Sequence, residues 1–490
     1  MSKRYILIDP VTRVEGEARV VIVVNGKNSI DEIYYEILST RGFESFCIGR
    51  AVEELPRITS TICGVCSWAH HVASGKTLDK LFGREPPITA KKIRELAYYM
   101  QIIDSHLLHF GVMALPDLVF PETDPLTRNI IGLLKVEPKI ASTILGTRRY
   151  IKQIEKIFGG KPIHAAFMIP GGVTRSLKEE DVEKLKEQVG ELKKLIIDIL
   201  DFFKNRIVKS ELYQSLLNDE SYMLKTYYMG LIGSGRELTF YDGKLKIIDS
   251  EGREIAVFNV DDYTEYIAEY MSNWSYSKFP YLRKLGWHGF DEKYILRVGP
   301  LARINVVDKV PTEIGGNEYK EMIESLGGKP IHNTMAYHWA RIIEIVYSIE
   351  RMEEMLDDPD LLSKDTVNLE GEPRYEGMGV IEAPRGVLIH HYKSDEHFIA
   401  THVNIITPTT FNNAAINTEL KKVARKHLDL TNGDRVEYKV LNKLEMSIRA
   451  YDPCNSCAAH VIDLSTSDEF KVLIIEKETG RKRLVKYKVV

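Results

Sequence analysis

Two Cys-x-x-Cys pairs, Cys63-Gly-Val-Cys66 and Cys454-Asn-Ser-Cys457, sit near opposite ends of a chain of 490 residues. A two-residue gap lets both sulfurs of a pair face one ion, and two pairs supply the four thiolates of a single metal site. Zinc ribbons draw their two pairs from within roughly 15–20 residues of each other. Here 388 residues separate Cys66 from Cys454, so a fold in which the pairs meet must join both ends of the chain through its core. On spacing alone a structural zinc site stays open. So does a thioredoxin-like redox pair, although no βαβ pattern surrounds either motif.

The remaining composition narrows the class. Five cysteines, an odd and small number, exclude a disulfide scaffold. Lys+Arg 66 against Asp+Glu 70 gives a net charge of −4, with none of the basic excess that marks a nucleic-acid partner. The start, Met1 to Asp9, carries too short an apolar stretch for a secretory signal. Leu195 to Phe203, read as the most apolar helical stretch, is interrupted by Asp198 and Asp201, and no run reaches the roughly 18 apolar residues of a spanning helix. The expectation is a cytoplasmic protein with no membrane insertion, in a reducing compartment where Cys-x-x-Cys pairs bind metal or do redox chemistry.

Hydrophobic periodicity predicts a mainly α protein with small β subdomains (α+β). A central long-helix bundle carries an N-terminal sheet and a peripheral β-meander. Val20-Val-Ile-Val-Val24 and Ile33-Tyr-Tyr-Glu-Ile37 flank a turn at Asn25-Gly26 and read as a hairpin in region 1–55. Helical patterns over 67–83, 87–114, 128–156 and 177–215 place a bundle in 56–235, with a capping-box spacing at Ser176-Leu-Lys-Glu179. An inserted β and helical region follows in 236–330, its meander marked by Asp-Gly and Glu-Gly turns. Region 331–460 holds helices near 333–357 and 413–428 and a Gly-rich strand region, Gly377 to Gly386. Residues 461–490 are strand-like and basic.

The neighbours of the cysteine pairs are specific: Arg41-Gly-Phe-Glu44, Ile62-Cys-Gly-Val-Cys-Ser-Trp-Ala-His70 and Asp452-Pro-Cys-Asn-Ser-Cys-Ala-Ala-His460. With Asp9-Pro-Val-Thr-Arg-Val-Glu-Gly16, Ile169-Pro-Gly-Gly-Val173, Glu382-Ala-Pro-Arg-Gly386 and Thr407-Pro-Thr-Thr-Phe-Asn412, in that order, they make the chain resemble the large subunit of nickel-iron hydrogenases over residues 9 to 460. Within that family the likeness is to the soluble archaeal and bacterial types, including deazaflavin-non-reducing and bidirectional enzymes.

The resemblance implies a nickel ion bound by Cys63, Cys66, Cys454 and Cys457. Cys63 and Cys454 would be terminal ligands, and Cys66 and Cys457 would bridge to an iron that carries carbon monoxide and cyanide. It implies that H2 is cleaved heterolytically at this centre, with Cys454 passing the proton to Glu15. Arg385 would point over the open metal position, held by Asp117 and Asp452. Pro384 and Thr409 match positions near the cyanides, and His70 lies one helical turn after Cys66. A magnesium-type ion would be held by Glu44, the Ile405 carbonyl and His460. Glu17 and Thr61 depart from the family pattern, where histidine and arginine are usual.

Family precursors are cut after the histidine that follows the last cysteine. Thirty residues run past His460, so the resemblance predicts that a maturation endopeptidase cuts between His460 and Val461. An electron relay of iron-sulfur clusters needs about four cysteines per cluster, and only Cys47 is left over. No iron-sulfur cluster is therefore expected in this chain. An iron-sulfur small subunit is expected as partner, docked near Cys63 and the N-terminal sheet, with a further electron-transfer subunit linked to deazaflavin, nicotinamide or a heterodisulfide reductase. The alternatives are a metal-free relative in a respiratory complex and a zinc-bound assembly subunit.

Overall fold

The computed structural model describes residues 4–25, 29–430 and 437–459, together with the strands Glu469–Ile475 and Lys482–Lys488. The β-branched runs form an antiparallel sheet, β1 (Arg4–Ile8), β2 (Ala18–Val24) and β3 (Ile30–Ile37), in the order β1-β2-β3. Val20 and Ile22 on β2 face Tyr35 and Ile33 on β3, and this period-two set is buried. Tyr35 ties the sheet to the far end of the sequence: its amide donates to Asn417 at 2.8 Å and its hydroxyl to Asn455 at 2.7 Å.

Four of the expected helices form, with sharper ends. They are α1 (Ser67–Leu81), α2 (Ile88–Leu108), α3 (Pro138–Gly159) and α4 (Glu179–Phe202). The pattern read as one helix over 128–156 is two, because Pro138 lacks an amide hydrogen and starts α3 after the short helix Ile130–Val136. The cap of α4 lies two residues later than expected. The Asp181 carboxylate takes up the Lys178 amide at 3.1 Å, where the expected box has Glu179 taking up that of Ser176. With α5 (Tyr337–Leu356) these helices build the bundle: α5 packs on α2 and α4, and α3 packs on α4. Among the described residues one helical run, Ile88–Val119, is long and apolar enough to cross a membrane, rather than Leu195 to Phe203. Of its most apolar window, 78% is buried inside the chain, as in a core helix.

The expected meander is present as β4 (Tyr227–Ile232), β5 (Lys244–Ile248) and β6 (Glu254–Phe258), extended by Leu296–Arg297. Its outer strand is partly exposed, but β4 is buried against the next sheet, where the Leu231 amide donates to Glu382 at 2.7 Å. That sheet is β7 (Glu376–Ala383), β8 (Gly386–Ser394) and β9 (Ala400–Ile406). α1 lies directly on β7, and the glycines of the Gly-rich segment make this close approach possible. A Cβ on Gly379 would come within 2.5 Å of the Ala73 carbonyl oxygen, and one on Gly377 within 2.2 Å of that of Thr77. α6 (Pro408–His427) packs on β3, and α7 (Tyr438–Tyr451) packs on α6. Beyond residue 459, Glu469–Ile475 and Lys482–Lys488 pair with each other as an antiparallel hairpin.

Candidate metal centre

Each cysteine pair is delivered by a turn at the head of a helix. Cys63 is in extended conformation and Cys66 caps α1, while Asp452, at φ 56°, reverses the chain at the end of α7 and sends Cys454 and Cys457 inward. All four sulfurs lie within 4.8 Å of one another and all four residues are buried. Cys454 Sγ is 3.4 Å from that of Cys63, 3.8 Å from that of Cys66 and 2.7 Å from that of Cys457, and the Cys66 and Cys457 sulfurs are 3.2 Å apart. Burial pushes the Cys454 and Cys457 thiols well above the ordinary range, whereas hydrogen bonds from its three neighbours draw Cys63 down. Four thiolates this close, out of water, persist only around cationic metal, and soft sulfur donors suit nickel and iron. The donor set therefore fits the implied metals. Cys47 is buried apart from this group, its thiol pushed by burial to about 12.

Glu15 closes one side. It pairs with Cys454 in a parallel bridge, its carbonyl taking the Asn455 amide at 3.0 Å. Its Oε2 accepts from Cys454 Sγ at 3.0 Å and from the Ser456 amide at 3.1 Å. Burial raises this carboxyl above the usual range, and the nearby Cys63 sulfur adds to the effect. Gly16, at φ 75°, permits the approach, since a Cβ there would stand 2.7 Å from the Ser456 nitrogen.

Arg385 enters from the tight β7–β8 turn. Its Nε donates to the Asp452 carbonyl at 2.6 Å, Nη2 to Asp452 Oδ1 at 2.9 Å and Nη1 to Ser105 at 3.3 Å. Burial opposes its charge, but Asp452 and the cysteine sulfurs outweigh burial and keep it protonated. Arg385, Pro384, Thr409, His70 and three of the cysteines line one small cavity of about 10 Å³. Thr409 accepts the Cys454 amide at 2.8 Å, and His70 Nε2 lies 3.3 Å from Cys457 Sγ.

One expectation changes. Asp117 does not hold Arg385; it pairs with Arg13 at 2.5 Å, Arg449 at 3.0 Å and Arg128 at 3.2 Å, three guanidiniums contributed by the N-terminal segment, α7 and the loop before the short helix Ile130–Val136. Of the magnesium-type set, Glu44 and Ile405 are adjacent: the Ile405 amide donates to Glu44 at 2.7 Å. The same carboxylate is paired with the Lys278 ammonium at 3.0 Å, and His460 lies outside the described residues. Of the departures from the family pattern, Glu17 is exposed, and the Thr61 hydroxyl donates to the Ile58 carbonyl.

Sequence reasoning missed the scaffold behind these groups. Arg303 bonds the Ala383 and Pro384 carbonyls at 3.0 and 3.1 Å while paired with Glu344 at 2.6 Å and Glu382 at 2.5 Å, so it holds the turn that aims Arg385. His71, beside His70, accepts the Phe167 and Met168 amides next to the Ile169-Pro-Gly-Gly motif.

Buried soft-donor ligands, a carboxylate against one of them and a fixed guanidinium define a metal-dependent redox enzyme. The sequence profile described as nickel-dependent hydrogenase matches residues 41–121 and 237–460, and a HoxL-like profile matches 5–39. The chain is 39% identical over 463 residues to an iron-sulfur subunit of the F420-non-reducing hydrogenase of Archaeoglobus profundus, covering 93% of this chain and 94% of that protein. It is 33% identical to the NAD-reducing hydrogenase HoxS subunit beta of Cupriavidus necator, over 94% of this chain and 95% of that protein. A solved NAD+-reducing [NiFe]-hydrogenase in the H2-reduced state superposes with a TM-score of 0.87 at 33% identity, covering 93% of this chain and 99% of that one. The chain belongs to the nickel-dependent hydrogenase family, as a large subunit of an oxidoreductase acting on H2.

Proposed function

We propose that Cys63, Cys66, Cys454 and Cys457 would hold the nickel-iron centre of this hydrogenase, Cys63 and Cys454 as ligands of nickel and Cys66 and Cys457 as ligands shared with iron. When bound, nickel and an iron bearing carbon monoxide and cyanide supply the redox-active Lewis acid at which H2 is split. The chain's own groups do the rest. Cys454 Sγ takes the proton and hands it across 3.0 Å to Glu15 Oε2, whose burial keeps its affinity for a proton high enough to act as a relay. Arg385, fixed by Asp452, places a permanent cation beside the sulfurs in a cavity with little room for water. Pro384 and Thr409 line the same cavity and are the groups positioned for the iron's diatomic ligands. His70 Nε2 lies against the Cys457 sulfur at 3.3 Å. Glu44 and the Ile405 carbonyl, with His460, would hold a divalent cation.

Relatives named as one subunit of multi-subunit hydrogenases support further partners. The loop between Cys63 and Cys66 reaches the surface at Gly64, with Phe46 and Ile48 exposed nearby in sequence, which suits an iron-sulfur small subunit taking electrons there. A further subunit linked to deazaflavin, nicotinamide or a heterodisulfide reductase, a soluble cytoplasmic complex and endopeptidase cleavage between His460 and Val461 complete the proposal.

The four-sulfur cluster with Glu15 on Cys454 is the observation that carries this reading. Elemental analysis of the native complex tests it: about one nickel per chain is expected, with iron in excess of nickel because the small subunit's clusters add to it, and zinc in place of nickel sinks it. Intact mass tests the cleavage, since a nickel-loaded active enzyme that retains residues 461–490 contradicts it.

A further inference from the structure

From Cys457 a buried hydrogen-bonded chain runs through four side chains. His70 Nε2 meets the sulfur at 3.3 Å, and its Nδ1 lies 3.1 Å from His390 Nε2. His390 Nδ1 bonds the Tyr392 hydroxyl, which lies 3.0 Å from Ser74 Oγ. All four residues are at most 1% exposed. His70 and Ser74 stand one turn apart on α1, and His390 and Tyr392 two residues apart on β8, so each pair shares a face. The helix-on-sheet packing that Gly377 and Gly379 allow therefore assembles the chain.

A neutral imidazole has one donor and one acceptor nitrogen, so such a chain runs in one direction at a time. With Tyr392 donating to Ser74, as in this structure, neutral rings have His390 donating to Tyr392, His70 Nδ1 donating to His390, and His70 Nε2 turning a lone pair toward Cys457. That suits a thiol. If Tyr392 donates to His390 instead, both rings change tautomer and His70 Nε2–H points at the sulfur. A thiolate can only accept, so this second direction alone satisfies a metal-bound Cys457. No proton is gained or lost between the two arrangements of the rings and hydroxyl; only positions change. Tyr392 lies within reach of both acceptors and is the group whose rotation selects the direction.

We propose that His390 and Tyr392 are positioning residues that set the tautomer of His70, so that Cys457 receives a hydrogen bond from His70 Nε2 when it ligates metal. This rests on the ligand role of Cys457 given above. A donor on a ligand sulfur draws off charge and favours the reduced centre.

The test uses the whole native complex with Tyr392→Phe, His390→Leu and His390→Gln, measuring nickel content and then the midpoint potential of the nickel electron paramagnetic resonance signal. Tyr392→Phe and His390→Leu should retain nickel and shift the potential to more negative values. His390→Gln, whose amide can still donate to His70 Nδ1, should stay near the parent. Nickel-loaded Tyr392→Phe and His390→Leu at the parental potential would overturn the inference, as would His390→Gln shifted as far as His390→Leu. Should His390→Leu lose nickel, Tyr392→Phe decides, because it removes a single buried oxygen. A nickel-free parent refutes the hydrogenase reading and this inference with it, whereas unshifted nickel-loaded variants refute this inference alone.

Discussion

Replacing Glu15 by glutamine isolates the proton relay from the architecture around it. The amide side chain would keep the volume of the original, and its oxygen would still accept from the Ser456 amide, now met at 3.1 Å. What it loses is the ability to take a proton from Cys454 across 3.0 Å. A positioned acid-base group is worth about 10²–10⁴-fold in rate, so H2 oxidation should fall by roughly 10³-fold, or about 4 kcal/mol of barrier. Nickel and iron content should hold at the parental level, because Glu15 contributes no ligand to the four-sulfur set. Glu15→Asp withdraws the carboxylate by about one bond length, roughly 1.5 Å, and should fall between the two, since a water can bridge the widened gap. The assay is anaerobic H2-dependent dye reduction alongside metal analysis of the same preparations. Turnover of Glu15→Gln within about threefold of the parent, at equal nickel content, would refute the relay.

Three further outcomes follow from the geometry. Gly16→Ala, strained at φ 75° and placing a Cβ 2.7 Å from the Ser456 nitrogen, should cost about 1–3 kcal/mol and lower nickel occupancy, read by metal-to-protein ratio and melting temperature. Asp452→Asn removes the charge partner of a buried guanidinium, which costs about 3–5 kcal/mol. Its melting temperature should drop clearly, and an unchanged melt would contradict the pairing. Glu382 is pushed up by burial to about 7, against the pull of Arg303. Its folded form therefore binds a proton more tightly than the unfolded form, so it favours the fold most below an ordinary carboxyl value near 4.5. Stability then falls as pH rises toward 7 and is level above it. Glu382→Gln should flatten that slope between pH 5 and 7 in thermal melts, and an unchanged slope speaks against it.

Much of the centre was legible because its signals are short. A Cys-x-x-Cys pair, a Glu-Gly step and an Ala-Pro-Arg-Gly turn each occupy a few adjacent residues, and their geometry follows from local backbone demands such as φ 75° at Gly16. Helix limits were less legible: periodicity runs on through 128–156 and does not mark the break at Pro138, whose missing amide starts a new helix. What pairs across the chain was not. Asp117 meets Arg13, Arg128 and Arg449 rather than Arg385, and nothing within the sequence around position 117 names those partners. α7, which supplies Arg449 and sets the αL turn at Asp452, carries apolar residues at helical spacing but follows residues without regular pattern. His390 and Tyr392 share an inward face of β8 by period two, yet their link to His70 exists only because α1 lies directly on the sheet.

Infrared spectroscopy of the anaerobically isolated native complex puts the central claim to its most direct test. Two pairs of cysteines 388 residues apart are held within 4.8 Å of one another, a set assigned here to a nickel-iron centre. Absorption bands from carbon monoxide and cyanide bound to iron are expected, shifting on exposure to H2 and lost in Cys66→Ser and Cys457→Ser. A nickel-free complex without those bands would contradict the assignment.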